Sequence, residues 1–176
     1  MSENAKIQKG RGTLNNIDSR FNEFQRTVID DGWFVEELPP ATTEISIENA
    51  RSIISRNTSP DVPFEQSVNT YRGCEHGCIY CYARPSHAYL GLSPGIDFET
   101  KLTIKPNAAE LLREELMAKN YRCSTLSLGA NTDPYQPIER HYSLTREVLE
   151  VMIEFSHPVN IVTKSSLIER DIDLLK

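Results

Sequence analysis

Three cysteines, Cys74, Cys78 and Cys81, fall within eight residues of this 176-residue chain, spaced C-x3-C-x2-C. Thiolates this close can converge on one metal ion or one cluster, and Gly73 and Gly77 let the backbone wrap round it. Three thiolates are one short of the usual four. On an iron–sulfur cube that leaves one iron open to an exchangeable ligand, as an enzyme needs. A structural zinc site would need a fourth ligand, with His76 or His87 near at hand, although zinc sites more often show C-x2-C pairs. The third reading is a trio of buried or redox-inert cysteines, but such bunching in an intracellular chain rarely lacks a role. From the residues alone all three readings stand.

The elements that must carry this loop are legible on either side of it. Residues 67–71 suit a strand that feeds directly into the cysteines. Residues 102–105 suit a short strand or connector. A helix should start at Pro106, since proline is tolerated in a first turn, with Ala108, Leu112 and Leu116 turned inward. Residues 123–128 alternate Leu126 and Leu128 and end at Gly129, as a strand would. Ser143 suits the cap of a second helix that turns Leu144, Val148, Val151, Met152 and Phe155 to one side. The β-branched run Val159, Ile161 and Val162 suits a buried strand. Ser166 and Glu169 form a capping box for a third helix with Ile168, Ile172 and Leu175 facing in. Strand and helix thus alternate three times, which implies an α/β fold with a parallel sheet and right-handed crossovers. Three parallel strands leave an unpaired edge, so the pattern reads as the first half of a larger barrel, cut off after the third βα unit, with a small three-layer sheet completed by the N-terminal segment as the alternative.

Upstream of the cysteines the signals are weaker. Residues 1–40 are polar and irregular, with Gly10-Arg11-Gly12, Asn15-Asn16, a Trp33-Phe34-Val35 patch and Pro39-Pro40. Residues 42–54 suit a strand and a short helix. The expected organisation is an irregular N-terminal extension over 1–63 and a core over 64–176.

Composition excludes several classes. Lys plus Arg number 19 against 25 for Asp plus Glu, a net charge of −6, with 39% hydrophobic and 25% charged residues. That is neither collagen-like nor disordered composition. The acid excess argues against a broad phosphate-binding surface. No apolar run approaches the roughly 18 residues of a membrane helix, and residues 1–9 lack the apolar stretch of a secretory signal, so no membrane association and a cytoplasmic location are expected.

The spacing C-x3-C-x-aromatic-C, with Tyr80 as the aromatic, is the signature of the radical S-adenosylmethionine (radical SAM) superfamily. The longer string Tyr-Arg-Gly-Cys-Glu-His-Gly-Cys-Ile-Tyr-Cys-Tyr-Ala-Arg-Pro over 71–85 and Asn-Thr-Asp-Pro-Tyr-Gln-Pro-Ile-Glu over 131–139 resemble a bacterial branch near the spore photoproduct lyases. The resemblance runs from about Gly10 to the last residue. One departure is Thr70, where that branch would carry proline. The resemblance implies a partial (βα)6 TIM-like barrel, of which this chain would be the N-terminal part. It also implies a [4Fe–4S] cluster held by Cys74, Cys78 and Cys81. In the superfamily the open iron chelates S-adenosylmethionine, and an electron from the cluster cleaves it to a 5′-deoxyadenosyl radical that abstracts hydrogen from a substrate. The electron would come from a small protein such as a ferredoxin or flavodoxin.

The same resemblance implies further cofactor contacts. Tyr80 would pack on the adenine. Many members bind the amino group of S-adenosylmethionine with a Gly-Gly-Glu-like stretch after the second strand; here Gly129, Ala130, Asn131, Thr132 and Asp133 stand there, so Asn131 and Asp133 substitute by position, or form an Asx turn before Pro134. Lys164 closes the third strand on the same rim and suits a carboxylate, while Ser165 suits a helix cap. Glu139 and Arg140 read as a solvated pair. Arg72, Arg84 and His87 lie near the cysteines in sequence, where cationic neighbours could raise a cluster's reduction potential, but each alone reads as structural. Cys123 reads as a buried thiol with no partner near it in sequence. Two alternatives to a working enzyme are a cluster-binding but inactive fragment and a structural zinc module. A repair or modification role on nucleic acid follows only from nearness to the lyase branch; the first 26 residues carry five basic and three acidic side chains, a slight excess that establishes no such contact.

Overall fold

A computed structural model of the chain describes residues 11–19, 21 and 41–176. Gly10, the Trp33-Phe34-Val35 patch and Pro39-Pro40 lie outside the described residues. Two compact units interleave along the sequence. One holds the described residues up to Ile45 together with Gly73–Leu102, and the other holds Ser46–Arg72 and Thr103–Lys176.

The second unit is built on a four-stranded sheet. Its strands are β2 (Ile54–Arg56), β3 (Gln66–Val68), β6 (Leu126–Leu128) and β7 (Val159–Ile161), in that spatial order. β3, β6 and β7 run parallel, and β2 pairs antiparallel to β3. The register sets Gln66, Leu126 and Val159 side by side at one end, and Val68, Leu128 and Ile161 at the other. Two helices cover one face: α2 (Ala108–Met117) and α4 (Leu144–Glu154), which pack on each other. Ala108, Leu112 and Leu116 recur every fourth residue on α2 and are all buried, as their spacing predicts. With Val68, Leu126, Leu128, Val148, Leu149 and Met152 they form one apolar core.

Because side chains alternate along a strand, the residues between these apolar positions share the opposite face. There the register lines up Ser55, Ser67, Ser127 and Asn160 across all four strands. The sheet therefore has one apolar face and one face of small polar groups.

A second, three-stranded sheet takes the order β1 (Glu44–Ile47), β5 (Lys101–Ile104), β4 (Tyr71–Arg72). β4 and β5 pair antiparallel, with Tyr71 opposite Ile104 and Arg72 opposite Thr103. The short helices α1 (Asp97–Thr100) and α3 (Glu139–Tyr142) and two 3-10 helices, Arg84–Leu90 and Ser166–Asp171, complete the elements among the described residues. The fold is thus mixed α/β, with parallel and antiparallel strands in two sheets.

Several expectations change. The strand over 67–71 breaks at Asn69 and Thr70 and joins two different sheets. No short helix follows β1 before Ile54. Among the described residues β7 has a neighbouring strand on one side only, and it is half-buried rather than buried. Ser143 precedes α4 but its side chain makes no cap; it adopts φ 53°, and the Glu139 carboxylate takes the Thr145 amide instead. The expected third helix is a 3-10 turn capped by Ser165, which accepts from the Leu167 amide, so Ser166 and Glu169 are no capping box. Ile172 and Leu175 are exposed there, and buried Asp171 points inward in their stead, held by Arg146 and Arg170.

Candidate functional site

The cysteine loop belongs to the first unit, and its conformation follows from a repeated local pattern. The carbonyls of Cys74, Cys78 and Cys81 accept from the amides of Gly77, Cys81 and Arg84 in turn. Each cysteine therefore opens a turn. Gly77, at φ 62°, reverses the chain between the first two, and Gly73, at φ 75°, brings the loop in so tightly that a Cβ would meet Leu102, Phe98 and His87. The Cys74 amide is fastened to the Phe98 carbonyl at 2.9 Å. Cys74 and Cys81 pack in one small cluster with Ala83 and Phe98.

Two buried charges brace this loop. Arg84 donates from Nε to the Cys78 carbonyl, from one terminal nitrogen to the carbonyls of Pro94 and Gly95, and from the other to Glu99 at 2.6 Å. Glu99 in turn accepts from the amides of Gly12 and Thr13 and from the Thr13 hydroxyl. Residues 11–17 thereby lie as a strap against the loop; a Cβ on Gly12 would overlap the Gly77 carbonyl at 1.7 Å. Arg11 extends the strap to the Ala41 carbonyl and Thr43, and Thr43 donates to Glu75 inside the loop. Beyond it, Asn16 and Asp97 exchange two hydrogen bonds. Sequence reasoning missed this strap because its partner Glu99 lies more than eighty residues away; Gly10-Arg11-Gly12 was its only trace.

His87 is fully buried, its ring edge-on to Phe98 and its Nε2 against the Lys101 carbonyl. Among the described residues no three His, Cys, Asp or Glu side chains converge so as to hold a metal ion. The fit of a cluster to this loop is therefore one of donor set and backbone: three soft thiol donors, each at the head of a turn, on a loop whose reversal requires glycine. Tyr80, between the last two, is 76% exposed, with Ile79 and Tyr82 exposed beside it.

The other predicted contacts belong to the second unit, at the C-terminal ends of its parallel strands, where open α/β sheets place ligands. Gly129 has φ 88°, and a Cβ there would lie 2.1 Å from the Val162 carbonyl. The Asn131 amide donates to Asn69 Oδ1. Asp133 accepts from the amides of Tyr135 and Lys164 and from the Thr163 hydroxyl, so it forms an Asx turn and also ties the rim after β6 to that after β7. The Lys164 side chain is exposed. Gly129, Asn131, Asp133 and Lys164 thus share one rim, and Asn69, which sequence reasoning did not single out, joins it from the end of β3.

Glu139 is no solvated residue. It is fully buried and binds the Tyr71 hydroxyl, the Thr145 amide and Arg170. Burial first, then the Glu139 charge and hydrogen bond, hold the Tyr71 phenol protonated far above its usual range. Cys123, expected buried and alone, is exposed and lies 3.6 Å from His157 Nε2.

Comparison with known proteins finds matches that are all uncharacterized. The chain is 45% identical over 114 residues to uncharacterized proteins of Mycobacterium tuberculosis and Mycobacterium bovis, covering 65% of this chain and 34% of theirs. It is 32% identical over 109 residues to an uncharacterized protein of Methanocaldococcus jannaschii, covering 62% of this chain and 39% of that one. The match thus spans about a third of these relatives' length. No family model matches the chain, and no solved structure does. Among the described residues no helix is long and apolar enough to cross a membrane.

Proposed function

We propose that this chain is part of a radical SAM iron–sulfur protein, in which Cys74, Cys78 and Cys81 hold a [4Fe–4S] cluster and the open iron takes S-adenosylmethionine. The observation that carries the reading is the loop itself: three cysteines at C-x3-C-x2-C, each opening a turn, with glycine at positions 73 and 77 in the left-handed region and an exposed aromatic, Tyr80, in the second interval. When bound, such a cluster supplies the electron that cleaves S-adenosylmethionine and so starts hydrogen abstraction from a substrate. The chain's own part is to hold and enclose. Arg84, fixed by Glu99, pins the Cys78 carbonyl, and the strap at Gly12 covers Gly77. By the resemblance, the exposed Tyr80 ring would pack on adenine, and Asn131, Asp133 and Lys164 are the residues proposed for polar contacts with the cofactor.

The finer fold reading rests on the same proposal. β3, β6 and β7 follow one another in space as in sequence, with a helix between successive strands, which suits the first strands of a partial (βα)6 barrel. The row Ser55, Ser67, Ser127 and Asn160 suits an inner wall facing a polar cavity. A ferredoxin or flavodoxin is the proposed electron donor, and the hydrogen-giving substrate is left unassigned.

The test is anaerobic purification with iron, acid-labile sulfide and zinc determined per chain, alongside a Cys78→Ala variant. Iron and sulfide in equal amounts near four per chain, lost in the variant, are expected. Zinc without sulfide would replace this reading with a structural zinc module.

A further inference from the structure

The end of the parallel sheet opposite the cofactor rim carries a second group of reactive side chains. Gln66 opens β3, Cys123 precedes β6 and His157 precedes β7, and the register of Gln66, Leu126 and Val159 brings these three strand beginnings together. Tyr121 completes the group. Gln66 is 2% exposed and His157 9%, whereas Cys123 is open to solvent.

The hydrogen bonds in this group leave little freedom in where protons sit. Gln66 Nε2 donates to the Arg122 carbonyl at 3.0 Å, which fixes its amide, since the flipped form would set two acceptors against each other. Gln66 Oε1 therefore needs a donor, and the Tyr121 hydroxyl supplies its single proton there at 3.0 Å. The 2.7 Å contact between Tyr121 Oη and His157 Nε2 must then be donated by the imidazole. On the other side of the ring Nδ1 faces the Pro158 carbonyl at 3.0 Å, which accepts only from an N–H. All four bonds are made at once only when both ring nitrogens carry protons. That form places a cation 3.6 Å from Cys123 Sγ, the arrangement that favours thiolate over thiol. Arg56 and Glu115 are the other charged side chains acting on Tyr121.

We propose that Cys123 is a nucleophilic thiol activated by His157, and that this edge of the sheet is a site of covalent S-modification by soft electrophiles. In the reaction with a carbon electrophile the sulfur electron pair forms the S–C bond, the bond from carbon to the leaving group breaks, and the leaving group departs with its electrons. The proton stays on His157. Nothing in this step calls on the cluster, so the proposal stands or falls separately from the radical SAM reading.

The probe is iodoacetamide, applied to the full chain with a metal chelator present and N-acetylcysteine in the same tube as the reference thiol. Cleavage after Arg122 and Arg140 releases Cys123 on a peptide without Cys74, Cys78 or Cys81, so mass spectrometry reads its rate alone. At pH 6.5 Cys123 is expected to alkylate about tenfold or more faster than the reference, since an ordinary thiol with a pKa near 8.5 is only about 1% thiolate there. His157→Gln should bring the rate down to the reference. The wild-type rate relative to the reference thiol is itself a reading that needs no variant. A rate at or below the reference, or no change in His157→Gln, would each overturn the proposal.

Discussion

Arg84 and Glu99 are both almost wholly withdrawn from water, and a buried pair of this kind is strongly destabilising when only one partner is removed, at about 3–5 kcal/mol. Every polar atom of the pair visible to the loop is used: the arginine on carbonyls that frame the cysteines, the carboxylate on amides of the strap. His87 adds a pH dependence beside them. Burial holds its imidazole below its ordinary pKa, only partly opposed by the Lys101 carbonyl and the Asp97 charge. The unfolded chain therefore takes up this proton before the folded one does. The stability His87 contributes is whole above about pH 6.5 and declines as pH falls below that, until the folded imidazole is itself protonated. Asp97 and Glu99 act lower. Burial alone would raise both carboxyls, but hydrogen bonds from Asn16 and Ser93 to one, and from Arg84, Thr13 and Gly12 to the other, hold them down, so their contributions are lost only through the carboxylate range. Urea midpoints measured from pH 7 to pH 5 should fall in the wild type, and His87→Gln should flatten that fall.

At the scale of elements, Gly129 is the joint between β6 and the rim. An alanine there would adopt φ 88° and drive its methyl into the Val162 carbonyl. Gly129→Ala is expected to cost about 3 kcal/mol, read as a lower urea midpoint; an unchanged midpoint would mean that the segment after β7 yields freely. The elements that sequence reasoning found are those whose pattern is local. Leu112 and Leu116 on α2, Val148 and Met152 on α4, and Leu126 and Leu128 on β6 declare themselves through periodicity. The cysteine loop declares itself through spacing. What was hidden depends on distant partners. The cap of α4 comes from Glu139 because Ser143 lies in a left-handed conformation, which its side chain does not announce. Cys123 meets His157 only through parallel pairing of β6 with β7, and Asn69 reaches the rim only once β3 has stopped short of where the pattern predicts.

At the scale of the whole molecule, two units interleave along the sequence. The cysteine loop, with its strap and buried ion pair, is one unit; the parallel sheet with its two ends is the other. Peptide-resolved hydrogen exchange on the metal-free protein should show residues 73–102 opening at lower free energy than β3, β6 and their helices, because their buried apolar cluster is small and much of their bracing is polar. Uniform protection across both would mean that the chain opens only as a whole.

The base of the cysteine loop is a pair of antiparallel strands in register, Arg72 opposite Thr103. The chain leaves the framework and returns to it at neighbouring points, as a long excursion closed at its neck. Its contents can lengthen, shorten or change sequence without shifting any strand against another. Substitutions between these two points can therefore be accommodated while the pairing of Tyr71 with Ile104 and of Arg72 with Thr103 is kept.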